Sequence, residues 1–152
     1  MTARTYLKKI RWNEIKIQER KIQLRGLGGS YNYMQAIDYA RDKVQTSPRD
    51  SLGEMVAREL DRNSHIAAEV IALIGRLERQ KHEIIGQIQN MAKAEHCSLL
   101  FKIYVEHKDL LTCAQEMDYT YGSIANLHGE ALTAFAMQYS EYLRDAKETP
   151  DA

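Results

Sequence analysis

LGEMVARELDRNSHIAAEVIALIGRLERQKHEIIGQIQNM, residues 52–91, decides the fold class. Pro48 bars a helix before it, Asp50 or Ser51 can cap it, and no proline interrupts it. Val56, Val70, Leu77, Ile84 and Met91 share one heptad position. Leu60, Ala67, Ile74 and Ile88 lie four residues further on, and Ile66 and Leu73 three. Apolar rows at this spacing predict one long helix that packs lengthwise against another. Asn63 and Lys81 interrupt the two main rows and so restrict the register. Gly75 and Gly86 each weaken the helix by about 1 kcal/mol relative to Ala and leave room for bending. A helix of this length would span about 60 Å, too long for one compact layer. The expected solution is an antiparallel hairpin with residues 3–25, or a homo-oligomer sharing the seam of residues 52–92.

Outward from this stretch the pattern stays helical. In residues 3–25, Leu7, Ile10, Ile17 and Leu24 form one stripe, with Trp12, Ile15 and Ile22 on a second face. Two apolar faces predict a helix gripped from more than one side. Gly26, Gly28, Gly29 and Ser30 form one group of breakers, and Thr46-Ser47-Pro48-Arg49-Asp50-Ser51 another, so a linker is expected at 26–51. From Ala94 the rhythm shortens. Leu99, Leu100, Ile103 and Tyr104 mark one helix, and Asp109 caps a second from Leu110 to Met117. Asp118-Tyr119-Thr120 makes a tight connection to a helix running from Tyr121 to about Leu143. Ile124, Leu127, Ala131, Leu132 and Phe135 are its expected buried face, and Ala114 is small enough for a close crossing. The expected fold is all-α: a coiled-coil helical hairpin in residues 1–95, a helix-turn-helix in 96–145, and a loose tail at 146–152.

Charge divides along the chain. The 21 Lys and Arg balance the 21 Asp and Glu, which speaks against a strongly basic nucleic-acid binder. The balance conceals a gradient: residues 1–50 hold eleven basic against five acidic groups, and residues 96–152 four against nine. Nearly all the basic excess precedes Gly26. Lys8, Arg11, Lys16 and Arg20 are the candidates there for phosphate or partner contacts. No run approaches the roughly 18–20 apolar residues of a membrane span, and the first residues lack a signal-peptide core. No membrane partner and a cytoplasmic location are expected.

Cys113-Ala114-Gln115-Glu116-Met117-Asp118-Tyr119-Thr120, followed by Ile124, Leu127, Ala131 and Leu132, is similar to the fourth conserved region of bacterial sigma factors. The chain more closely resembles a largely uncharacterised family of small Gram-positive phage and prophage proteins with sigma-like regulators among them. That resemblance rests on the N-terminal coiled coil, on Asp42-Lys43-Val44-Gln45-Thr46-Ser47, and on Tyr119-Thr120 with Leu127-His128-Gly129-Glu130-Ala131-Leu132. It implies a transcriptional regulator that binds promoter DNA, with RNA polymerase as a further partner and no cofactor. The recognition helix would present Thr120, Tyr121, Gly122, Ser123, Ala125 and Asn126 to the major groove. Asn126 carries the amide that reads adenine, and Ser123 or Tyr121 a hydroxyl for phosphate. No Arg or Lys lies between Lys108 and Arg144, so counterion release has little basis in this region. The alternative is a helical protein-interaction module whose helix-turn-helix no longer binds DNA.

Other chemistry finds weaker support. His96, Cys97, His107 and Cys113 crowd one region, but their spacings match no zinc-finger pattern, and no metal is expected. Neither cysteine has a base one helical turn away, and adjacent His96 and Cys97 would not face each other on a helix. Gly26-Leu27-Gly28-Gly29-Ser30 lacks the preceding strand and following Lys-Ser/Thr of a phosphate loop. Glu54, Glu59, Asp61 and Glu69 read as a solvated helix face, and His128 as a packing or capping residue at the helix surface. No enzyme activity is expected.

Overall fold

A computed structural model describes residues 1–27 and 51–145. Every element among them is helical: α1 (Ala3–Leu7), α2 (Lys9–Leu27), α3 (Ser51–Gln89), α4 (Ala94–Leu100), α5 (Leu110–Met117), α6 (Tyr121–Gln138) and α7 (Ser140–Asp145). A wide π-type turn, Phe101–Val105, extends α4. The all-α expectation therefore holds. Apart from residues 26, 27 and 51, the expected linker lies outside the described residues, as do Asp42–Ser47 and the tail at 146–152. Gly26 itself is the penultimate residue of α2 rather than a break.

The chain divides into two compact units, Met1–Ile15 with Glu78 onward, and Lys16–Leu77. Among the described residues of the second unit, Ile17, Val70 and Leu77 are buried apolar side chains, all on the stripes that periodicity marks. The first unit carries the larger core. Leu7 and Ile10 from the N-terminal helices, Ile84 and Ile88 from α3, Leu100 and Tyr104, and Ala131 and Phe135 from α6 bury one another there. Each such side chain fully removed from water contributes about 1.5–3 kcal/mol.

Within this unit α1 and α2 run antiparallel to α3. Tyr6 Oη donates to Gln87 Oε1 at 2.9 Å and Asn13 Nδ2 to Gln80 Oε1 at 3.3 Å. Seven residues forward on one side are thus seven back on the other. α3 continues through Gly75 and Gly86.

Three expectations are corrected. The N-terminal helix is two helices, jointed at Lys8. Its second apolar face is not gripped: Trp12, Ile15 and Ile22 are 60%, 38% and 64% exposed. The last long helix stops at Gln138, five residues early, where Tyr139 leaves helical geometry. The Tyr139 hydroxyl donates to the Gln87 carbonyl at 3.0 Å and its ring lies tilted against Phe135 with centroids 4.8 Å apart, so a distant contact accompanies the end of the helix.

Candidate functional site

The pair α5 and α6 is set by local chemistry. Asp109 Oδ1 accepts from the Thr112 N–H at 2.8 Å, which starts α5 at Leu110, and hydrogen bonding by the Thr112 side chain and then by its N–H holds the Asp109 carboxyl below its ordinary range. α5 ends at Asp118, which takes the left-handed conformation (φ 59°, ψ 38°) that aspartate tolerates better than most residues. The Tyr119 N–H then closes the turn on the Ala114 carbonyl at 2.9 Å. Thr120 Oγ1 accepts from the Ser123 N–H at 3.2 Å and starts α6, a cap worth about 1 kcal/mol. Leu99, Cys113, Ala114, Ile124 and Leu127 form a small separate core beneath the turn. Ala114, only 3% exposed, occupies the close crossing expected of it.

This arrangement leaves the first turn of α6 in water. Tyr121 is 57% exposed, Gly122, Ser123 and Asn126 are exposed, and Ala125 is half-buried. Thr120 also donates to the Ser123 hydroxyl at 2.8 Å, so these two side chains engage each other first. Asn126 and Ala125 border an open groove of about 650 Å³ along α6, with Lys93, His96, Gly129, Glu130 and Thr133. No acid lies in the first turn of α6, and the exposed Asp118 carboxylate precedes its Thr120 cap by two residues.

The electrostatics around that turn are set by a brace that sequence spacing does not show. Glu116 on α5 accepts from Lys102 at 2.7 Å and from Lys108 at 2.8 and 3.0 Å, and Lys108 also reaches Glu106 at 3.0 Å. The lysines hold the Glu116 carboxyl below its ordinary range, and Glu116 and then Glu106 raise Lys108. These are the basic groups nearest to α5 in sequence, and both are engaged. Asp118 and Glu130 stay exposed near the presented face, and Glu95 pushes the Tyr119 phenol up. The surface of α5 and α6 is acidic.

The basic candidates lie elsewhere. Lys8, Arg11, Lys16 and Arg20 are exposed in and beside α2. Among the described residues none of the four is in an ion pair.

The crowded His and Cys residues are drawn into separate places. Cys113 is buried, and burial raises its thiol. The Cys97 thiol donates to the Met91 carbonyl at 3.3 Å, and His107 pairs with Glu14. Among the described residues no three His, Cys, Asp or Glu side chains are grouped to hold a metal ion. The acidic candidates of α3 are solvated as expected, with Glu54 beside Arg58 and Glu69 beside His65.

His128 is the other correction, because it lies in the interior. It is 8% exposed and its Nε2 shares a hydrogen bond with Tyr104 Oη at 2.9 Å. Burial, with the Arg4 charge as a smaller cause, lowers its pKa. The folded chain therefore holds a neutral ring that the unfolded chain protonates near pH 6.5. Stability from this residue is present above about pH 6.5 and is lost as pH falls toward the lower folded value. Denaturant midpoints at about pH 7.5 and 5.5 should differ, and His128→Gln should reduce that difference. An unchanged difference would assign the acid sensitivity to other groups.

No helix among the described residues is long and apolar enough to cross a membrane. No protein-family model matches the chain, and comparison with curated proteins and with solved structures returns no significant match.

Proposed function

We propose that this chain is a transcriptional regulator in which a coiled-coil hairpin carries a sigma-like helix-turn-helix. In this reading α5, the Asp118–Thr120 turn and α6 are the motif, and Tyr121, Ser123 and Asn126 meet promoter DNA. The supporting observation is the capped, water-facing N-terminal end of α6, with no acid in its first turn and with the exposed amide of Asn126 and hydroxyls of Tyr121 and Ser123. The braced lysines narrow the proposal. With Lys102 and Lys108 engaged by Glu116, Lys93 on the groove beside Asn126 is left for phosphate, a small charge, so the motif works beside a protein partner such as RNA polymerase.

The same acidity favours a second reading, in which the α6 face docks on protein alone. Selection of bound sequences from a random duplex pool, with purified polymerase in a parallel arm, separates the two. The first reading expects an enriched motif when polymerase is present. Asn126→Ala should relax preference at one base position by about 1–3 kcal/mol. No enrichment in either arm would sink it and leave the second.

A further inference from the structure

The open groove of about 650 Å³ along α6 is lined from the other side by Lys93 and by His96 of α4, all within one compact unit of the chain. The His96 ring is 5% exposed and has no hydrogen-bond partner among the described residues. Among those residues the buried side-chain polar atom that is both unpartnered and sealed from water is Gln87 Nε2. The His96 nitrogens therefore keep a route to water, and the groove that the ring lines is that route. A ring stripped of hydration without gaining a partner costs the fold stability, and a ligand that supplies the partner restores it. Gly129 points the same way. Glycine inside a helix is less stable than alanine, yet a Cβ built at Gly129 would meet nothing within 4 Å. The chain's own packing does not require the missing side chain, whereas a ligand lying close against the helix would. Met137, on the same groove, is left 77% exposed.

We propose that this groove binds a small zwitterion of the amino-acid class with an aliphatic side chain. Lys93 and Glu130 bring opposite charges to it, are exposed, and are in no ion pair among the described residues. An anion alone would be set against Glu130, and a cation alone against Lys93. A carboxylate and an ammonium on one molecule satisfy both. The Asn126 amide and the His96 ring supply hydrogen bonds, and Met137 with the bare backbone at Gly129 takes the aliphatic part. The groove's volume lies within the range of small-molecule sites. Because Lys93 and Asn126 also serve the proposed DNA contact, such a ligand would compete with the duplex. The test of binding contains no DNA, so the two readings can fail separately.

The probe is L-leucine, added to the full chain while the Met137 methyl and His96 ring C–H signals are followed by nuclear magnetic resonance. Both should move saturably with a Kd of about 1 mM, in keeping with a ligand of about nine non-hydrogen atoms. N-acetyl-L-leucine lacks the ammonium and L-leucinamide lacks the carboxylate. Each should bind about tenfold more weakly. Glu130→Gln should bring N-acetyl-L-leucine to within about twofold of L-leucine, and Lys93→Gln should do the same for L-leucinamide. Gly129→Leu fills the groove and should abolish the response with circular dichroism unchanged. No movement at about twenty times the expected Kd would overturn the proposal. So would single-charge analogues that bind as well as L-leucine, or wild-type affinity in Gly129→Leu. Inorganic phosphate that moves both signals at lower concentration than L-leucine would also overturn it, as the mark of a simple anion site.

Discussion

Replacing Phe135 by alanine should cost the folded state about 3–5 kcal/mol, a large share of the 5–15 kcal/mol that holds a domain together. Phe135 is fully buried on α6, with the Tyr6 ring 5.9 Å away and the Tyr139 ring 4.8 Å away. It therefore touches the N-terminal helix, its own helix and the residue that ends that helix. Truncation leaves a cavity walled by aromatic rings that cannot collapse into it without breaking the Tyr6–Gln87 and Tyr139–Gln87 hydrogen bonds. Thermal unfolding followed by circular dichroism should show a midpoint lowered by on the order of 10 °C. A loss below about 1 kcal/mol would mean that α1 and α6 do not share one core.

Ile124→Ala should cost about 2–5 kcal/mol, but in a different place. Ile124 is fully buried in the small core with Leu99, Cys113, Ala114 and Leu127, which is separate from the Phe135 cluster. Its loss loosens α5 against α6 at the turn that presents Tyr121 to Asn126. Amide hydrogen exchange should rise through Leu110–Leu127 while the amides around Leu7, Ile10 and Ile88 stay protected. Ile124→Val, which removes one methylene, should cost about 0.5–1.5 kcal/mol and preserve the pattern. Uniform loss of protection across both clusters would show that they unfold as one.

What was legible in the sequence is what local chemistry decides. The heptad rows of residues 52–91 placed α3 to within two residues, because a long apolar seam needs no tertiary information. Asp109 and Thr120 marked the starts of α5 and α6, because a cap is a contact between residues three apart. What escaped depends on partners far along the chain. The end of α6 is accompanied by Tyr139 reaching Gln87, and the inward turn of His128 by its bond to Tyr104. The brace on Glu116 joins residues fourteen and eight apart, a spacing with no helical signature. Trp12, Ile15 and Ile22 carry the same apolar signal as the buried stripe of their helix, and periodicity does not say which face a neighbour covers.

The brace also changes what the chain's zero net charge means. Lys102 and Lys108 already face Glu116, so in the proposed reading the α6 face would come to DNA with shape, hydrogen-bonding groups and Lys93 but little further positive charge. The measurement that tests this most directly is anisotropy of a labelled promoter duplex titrated with the chain over a salt series, with and without purified RNA polymerase. Each phosphate neutralised steepens the log–log slope by about 0.9, so the chain alone should bind weakly with a slope of only a few phosphates. With polymerase the duplex should be held more tightly, and Asn126→Ala should weaken that gain. Tight binding by the chain alone with a slope steeper than about −5 would contradict the account, as would polymerase binding that the chain leaves unchanged.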